Sequence, residues 1–575
     1  MSMVALQAVR STLPRALYLP VIVPTVERVE RMLSGTARYP SASLGRMPPS
    51  NAQATVEKVA INAVLAGCKP RRTGRRAAAR NRPGHPGGPA RCPGRADAPG
   101  HPAKSSLPDR SPARNLKVDG KMSADNDTRV FAVSPEAASR IEARYRKLSP
   151  RSGEAFERHA RLMPAGVPGG ITQSFPYQLY ISRGDGCHVW DADGRKLVDL
   201  VYGDWLYPLG HNHPAVTAAI AGQLAKGPTF CIPDPDLGYE AASRLLARFP
   251  WLDMIRYTAS GTEATLMATR LARAYTHRPK IAKIAGGYHG VHDASMIVNM
   301  RTRDPFVTPQ GLIPGTEDSV VLLPYNDTET SLKTIETHAD ELAGIIIEPM
   351  MGGSGMIPAS REYLEALRDI TRRLGIVFIM DEVVTFPYGP AGIQGAFGIE
   401  SDITTFGKAI GGGTPLGAFA GTELIMSLMD NRLHEGNPPV RHASTVGGAP
   451  LCLAASVAVL DTLTDDIYRH LHALGDRLRS GVGEIAAKHD VPLQATGAGH
   501  FFALHWTPVP VVDFLTAMTS DRVLMNHVLI ALYNEGYILM SPHAGTLSAP
   551  MTDEHVDGLL QAIEDSLAAC GLIKA

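Results

Sequence analysis

The sequence predicts an α/β protein built around a mainly parallel sheet, and three observations carry that prediction. Two runs are apolar almost without a break, LAGIIIEPM (342–350) and IVFIMDEVV (376–384). Strands buried on both faces read this way. Strand-like and helix-like segments alternate: MIRYTAS before GTEATLMATRLARAYT, then KIAKIAG, then SREYLEALRDITRRLG before IVFIMDEVV, with DITTFGKAI and LGAFAGT after it. Such alternation implies crossover connections and helices on both faces of the sheet. Ahead of this region, YQLYISRGDG and CHVWDADGRKLVDL carry GDG and ADG turns between alternating residues, the pattern of antiparallel hairpins.

The flanking elements follow from the same rules. SPEAASRIEARYRKL places apolar residues at helical spacing behind Ser134, a good helix cap. A long helical pattern runs from about Ala449 to His489 and leads into a C-terminal α+β portion. The reading divides the chain into an N-terminal extension (1–121), a helix and β segment of a small domain (122–210), a large domain (211–455) and a C-terminal small domain (456–575).

The first of these segments is unlike the rest. Lys69–Arg114 carries twelve Lys and Arg against Asp97 and Asp109, is dense in Pro, Gly and Ala, and has almost no large apolar side chains. Such a composition cannot bury enough surface to offset its ordering entropy, so disorder is expected over 1–121. Met122 is then the expected start of the working protein. A targeting segment or a basic nucleic-acid arm are the alternatives.

Composition bounds the function. The chain has 575 residues, 44% hydrophobic and 20% charged, with a formal net charge of +1, which gives no general reason to expect a nucleic-acid or membrane partner. The cysteines at 68, 92, 187, 231, 452 and 570 form no CxxC pair and no metal spacing. A reducing, cytoplasmic setting is expected. No apolar run is long enough to span a bilayer, and Ala16–Val23 is short and interrupted by Pro20.

Three motifs carry chemistry. Ser260-Gly261-Thr262-Glu263 stands where a strand gives way to a helix, and a helix N-terminus suits a phosphate. Asp381-Glu382-Val383 ends the buried strand IVFIMDEV, and a carboxylate at that end points into the ligand crevice of an open α/β sheet. Lys408 is a single lysine between apolar residues and Gly411-Gly412-Gly413, and burial favours the neutral amine that forms imines. Each alone has a plain structural alternative: a capping turn, a structural or metal-binding Asp, a surface lysine.

In this order, and with MPAGVPGG, RGDGCHVWDADGRKLVDL, LGHNHPAV, GGYHGVHD, IIIEPMMGG, IMDEVV, FGKAIGGGTPLGAFAG and STVGGAPL, the motifs resemble the class-III, fold-type I pyridoxal-phosphate aminotransferases, and within them the glutamate-1-semialdehyde aminomutase-like branch. The resemblance runs from about Met163 to the C-terminus. It implies a large domain with a seven-stranded type of sheet, and a small α+β domain from N- and C-terminal segments. It implies that Lys408 holds pyridoxal 5'-phosphate as a Schiff base and moves the proton. Asp381 would pair with the pyridinium nitrogen, Val383 would pack on one ring face and Tyr288, followed by His289, on the other. Ser260, Gly261 and Thr262 would hold the phosphate, and Thr445 would reach the neighbouring subunit's phosphate in a homodimer. Glu348 matches a buried glutamate on the cofactor's phenolic side. His211, His213, His289 and His292 fall in motifs that bind no metal in this family, so none is expected.

The substrate end departs from the family pattern. Gln173 stands where related β-amino-acid aminotransferases carry an arginine, and His543 where the aminomutase has a glutamate. Losing a fixed guanidinium removes a bidentate carboxylate clamp. Trp205 and Tyr207 are expected to line the pocket, with ordinary core positions as the alternative. The resulting expectation is a transaminase that uses an amine or amino-acid donor and an oxo acceptor. An intramolecular aminomutase is the second reading, and a non-catalytic binding protein or a nucleic-acid binder the remaining ones.

Overall fold

The structure is a computed structural model that describes residues 43–47, 52–55, 133–169, 176–230, 232–299, 309–540 and 544–574. The chain divides into two compact units, 1–106 and 107–575, each described by itself. In the first, Ser43–Met47 pairs antiparallel with Ala52–Thr55, so the segment expected to lack order contains a hairpin. Gln173, Ser541–His543 and the basic stretch 69–114 lie outside the described residues.

The second unit opens with helix α1 (Pro135–Leu148). Its first turn is capped by Ser134, whose side chain accepts from the Ala137 N–H at 3.1 Å. Strands β1 (Ile181–Asp185), β2 (His188–Asp191) and β3 (Lys196–Asp199) form the two expected hairpins. Helix α2 (Pro214–Lys226) follows.

Seven strands then build the large sheet: β4 (Met254–Thr258), β5 (Lys280–Ile284), β6 (Val320–Leu323), β7 (Leu342–Ile347), β8 (Val377–Asp381), β9 (Ile403–Phe406) and β10 (Gly417–Gly421). Their spatial order is β4-β10-β9-β8-β7-β5-β6. β10 is antiparallel to both neighbours, and all other pairings are parallel. β4 therefore runs in the same direction as β9. β6, in VVLLPYND, is an edge strand that the sequence reading did not identify.

The buried runs alternate between two cores, as the strand period of two requires. Ile345, Ile347, Phe378 and Met380 face helix α4 (Arg361–Leu374) through Tyr363, Leu364, Leu367 and Ile370. Ile346, Val377 and Ile379 face helix α3 (Gly261–Thr276) through Met267, Ala268 and Leu271. Apolar residues at successive positions are thus what a two-sided core demands.

The pattern from 449 to 489 is two helices and not one: α5 (Pro450–Thr462) and α6 (Asp465–His489). Leu463 and Thr464 are extended, and Asp465 and Asp466 open the second helix, where acidic side chains complement the dipole. Strands β11 (Leu493–Thr496), β12 (Phe501–Trp506) and β14 (Ala544–Thr546) form a three-stranded sheet. The short β13 (Tyr537–Ile538) instead joins β3 in parallel. It unites C-terminal chain with the N-terminal hairpins over a core shared with α6, α7 (Arg522–Asn534) and α8 (Asp553–Ala569).

Candidate active site

The carboxyl ends of β4, β5, β7, β8 and β9 lie along one edge of the sheet, and each delivers a residue of the expected site. This is where open α/β sheets bind ligands. Asp381 ends β8 and is 3% exposed. Its Oδ2 accepts from His289 Nδ1 at 2.7 Å, and its Oδ1 accepts from Thr405 Oγ1 at 2.8 Å and the Val383 N–H at 3.2 Å. Thr405 reaches it because the β8–β9 register sets Asp381 directly beside Thr405. Burial holds the His289 imidazole below its ordinary range, so the ring is neutral and donates through Nδ1. His289 therefore acts on Asp381, from behind it.

The next residue, Glu382, points the other way, as strand geometry demands. It accepts from the Gln394 N–H at 2.9 Å and from Thr385 Oγ1, and burial pushes its carboxyl up to about 7. Of the two carboxyls in the DE pair, only Asp381 faces the crevice.

Ser260 caps α3, its Oγ accepting from the Glu263 N–H at 3.2 Å. The Gly261 and Thr262 N–H groups lie in the first turn, where no intrahelical acceptor exists. The walls around them are close. A Cβ added to Gly261 would lie 3.0 Å from Val383 Cγ1, one on Gly407 3.1 Å from the same atom, and one on Gly290 2.4 Å from Thr262 Oγ1. Val383 thus touches both the Gly261 turn and the residue before Lys408, while the YHG turn packs on Thr262. Tyr288 is held by its N–H, which donates to Glu348 Oε1 at 2.8 Å. Glu348 also accepts from the Gly352 N–H at 3.1 Å, and burial, with Asp381 nearby, pushes its carboxyl up to about 8.

Lys408 follows β9 with φ +47°. Its ammonium donates to the Asp204 carbonyl at 2.8 Å, pairs with Asp204 Oδ2, and lies 5.1 Å from the centre of the Trp205 ring. Trp205 is 4% exposed and packs with Met350, Val384 and Phe501. Tyr207 lies elsewhere: with His211, Val216, Gly413 and Thr414 it lines a cavity of about 210 Å³. Thr445 is exposed on a loop tied to α3, because Glu263 accepts from His442 Nε2 at 2.8 Å and Ser444 Oγ at 3.2 Å.

The sequence reading missed Asp204, Thr405 and Glu263. Glu263 lay inside a recognised motif, but its partners are 179 and 181 residues away. Asp204 had no signal, since a left-handed turn aims it. The cysteines suggested no metal spacing, yet the fold gathers Cys187, His188 and His555 with ligand atoms within 4.8 Å of one another. The Thr552 N–H donates to His555 Nδ1 at 3.1 Å, which leaves the His555 proton on Nε2, 3.3 Å from Cys187 Sγ. That tautomer makes a hydrogen bond to sulfur that ties α8 to the β1–β2 turn.

These residues meet the needs of a phosphorylated pyridine aldehyde: helix N–H groups, glycines that admit close approach, a locked carboxylate and a lysine. The class-III aminotransferase family model matches residues 172–567. The chain belongs to the class-III aminotransferases. Glutamate-1-semialdehyde 2,1-aminomutase of Methanothermobacter thermautotrophicus is 34% identical over 423 residues, covering 73% of this chain and 99% of that protein. An omega-transaminase from Sphaerobacter thermophilus superposes with a TM-score of 0.69 at 35% identity, over 73% of this chain and 98% of that one. A transaminase with PLP bound has a TM-score of 0.69 at 32% identity, over 74% of this chain and 99% of that one. This class-III enzyme is thus of fold type I and uses pyridoxal 5'-phosphate. No helix among the described residues is long and apolar enough to cross a membrane.

Proposed function

We propose that this class-III enzyme is an aminotransferase, moving an amino group from an amine or amino-acid donor to an oxo acceptor through Lys408. Bound pyridoxal phosphate would supply the electron sink. Lys408 would hold it and relay the proton, and Asp381 would keep the ring nitrogen protonated, itself oriented by His289 and Thr405. Val383 and Tyr288 would flank the ring, and Ser260, Gly261 and Thr262 would bind the phosphate. Glu348 would stand near the phenolic side.

The observation that carries the reading is the lining beside Lys408. It is an aspartate and a tryptophan, Asp204 and Trp205. Among the described residues this lining holds an anion and an aromatic ring rather than a second cation, so a substrate anchored by its carboxylate lacks the expected clamp. The working unit would be a homodimer, with Thr445 completing the partner's phosphate site, in the cytoplasm. The exposure of Thr445 on its pinned loop supports that role.

An intramolecular aminomutase is the second reading, favoured by the name of a relative that is 34% identical over 423 residues. Turnover of candidate donors with and without a keto-acid acceptor decides between them. A transaminase stops after one half-reaction without the acceptor, whereas an aminomutase continues.

A further inference from the structure

The segment that presents Asp204 is strained. Tyr202, Gly203, Asp204 and Trp205 have φ values of +48°, +64°, +78° and +66°, a full left-handed turn of which one residue is glycine. L-residues avoid this region because Cβ crowds the following carbonyl, so such a turn persists only where its surroundings enforce it. They do so at its base. Asp199 Oδ1 accepts from the Val201 N–H at 2.8 Å and the Tyr202 N–H at 3.1 Å, and the Tyr202 hydroxyl bonds Ser548. The tip is thereby pushed toward Lys408.

The tip is also incompletely satisfied. Asp204 Oδ2 pairs with Lys408, but its Oδ1 is buried with no hydrogen-bond partner among the described residues, and so is Trp205 Nε1. A buried carboxylate oxygen without a donor is costly and marks a place that a ligand completes. The lysine cannot complete it in the working enzyme. An ammonium offers three donors, but a Lys408 nitrogen joined to the cofactor keeps at most one N–H.

We propose that Asp204 and the face of Trp205 form a cation-accepting subsite beside Lys408. It selects amine donors that carry a second positively charged group and rejects donors that carry a carboxylate in that position. The inference rests on the aminotransferase reading and names its substrate class as diamines. A carboxylate would meet Asp204 as a like charge, whereas an ammonium meets both an anion and an aromatic face.

The test uses three donors that differ at one end: 1-phenylpropane-1,3-diamine, 1-phenylpropan-1-amine and 3-amino-3-phenylpropanoate, each with a keto-acid acceptor and the holoenzyme. The wild type should prefer the diamine. Asp204→Asn should cut the diamine-to-carboxylate ratio of kcat/KM on the order of tenfold or more, mainly through KM, the size expected for one charge-assisted contact. Trp205→Leu should lower the same ratio less, and it keeps the proposal testable if Asp204→Asn does not fold. A second readout needs no substrate. Asp204 stabilises a positive charge on the Lys408 nitrogen, so Asp204→Asn should lower the apparent pKa of the bound cofactor's absorbance by about one unit or more. Turnover with an unchanged ratio and an unchanged absorbance titration would overturn the subsite and leave the aminotransferase standing. Loss of no cofactor absorbance in Lys408→Ala, with no donor converted by the wild type, would overturn both.

Discussion

Two aspartates stand near Lys408, the proposed cofactor lysine, and they are held in opposite ways. Asp381 is a scaffold group: both oxygens are bonded, to His289, Thr405 and the Val383 N–H, on a strand in the middle of the sheet. Asp204 stands on a left-handed turn with one oxygen on Lys408 and the other without a partner among the described residues. A fully bonded carboxylate has a fixed charge and direction, which a permanent partner needs. A half-bonded one keeps capacity for a partner that comes and goes. On the proposed reading, the wall that holds the cofactor is rigid and saturated, and the wall that meets the substrate is strained and open.

The sharpest way to break that contrast is to remove the lysine between the two aspartates. Lys408→Ala should remain folded, with a thermal midpoint near that of the wild type, yet lose turnover by at least about 10³-fold, since proton transfer alone contributes 10²–10⁴. Steady-state rates on any accepted donor measure it. Asp381→Asn should be next, losing on the order of 10²-fold in kcat while retaining some cofactor, because an amide cannot hold the ring proton. If it kept full rate, the saturated wall would be structural only.

Gly290→Ala probes how tightly the cofactor wall is packed. Its Cβ would lie 2.4 Å from Thr262 Oγ1, at a backbone φ of +90°. The strain should cost about 1–3 kcal/mol and weaken cofactor binding, read by equilibrium dialysis. Gly436→Ala, also at positive φ but with open space around it, controls for the backbone alone.

Glu348→Gln sharpens the comparison through pH. Burial raises the folded-state carboxyl from 4.5 to about 8, so the folded state holds a proton that the unfolded state releases. The contribution is fully present below about pH 4.5 and is lost as pH rises through about 8. The glutamine variant should lack this decline, with a difference on the order of a few kcal/mol between the ends of the window, measured by denaturant unfolding. Lys283 slopes the other way. Burial lowers its ammonium to about 7, so its contribution is present above 10.5 and lost as pH falls through about 7. Its three bonds to the Gly287, Ser295 and Ile297 carbonyls make it the anchor of the Tyr288 loop. The smallest effect belongs to a chain beginning at Met122, which should match the full chain in cofactor occupancy and turnover. All side chains of the site described above lie beyond residue 198.

Much of the cofactor wall was legible in the sequence because it is local. Ser260-Gly261-Thr262 is one strand-to-helix turn, Asp381 ends a run whose unbroken apolarity marks a two-sided strand, and Lys408 sits in its glycine cluster. Helix α3 could be read to the residue for the same reason, whereas the apolar run of β8 continues past Asp381, where the strand ends. The break between α5 and α6 was missed because hydrophobic periodicity continues across it, and β6 because an edge strand of four residues offers too little pattern.

The sequence by itself determined the family, the cofactor and the alternation of strands and helices in the large domain, since each follows from neighbours along the chain. Only the tertiary structure decided what the site's side chains are bonded to. Thr405 reaches Asp381 through strand register across 24 residues, and His289 across 92. Asp204 meets Lys408 across 204 residues, from a backbone conformation that Gly203 permits but Tyr202, Asp204 and Trp205 do not announce. Left-handed backbone at Tyr, Asp and Trp is intrinsically unfavourable. Local bonds to Asp199 and a contact from Ser548, 346 residues away, hold it in place, and the second exists only once the chain has folded.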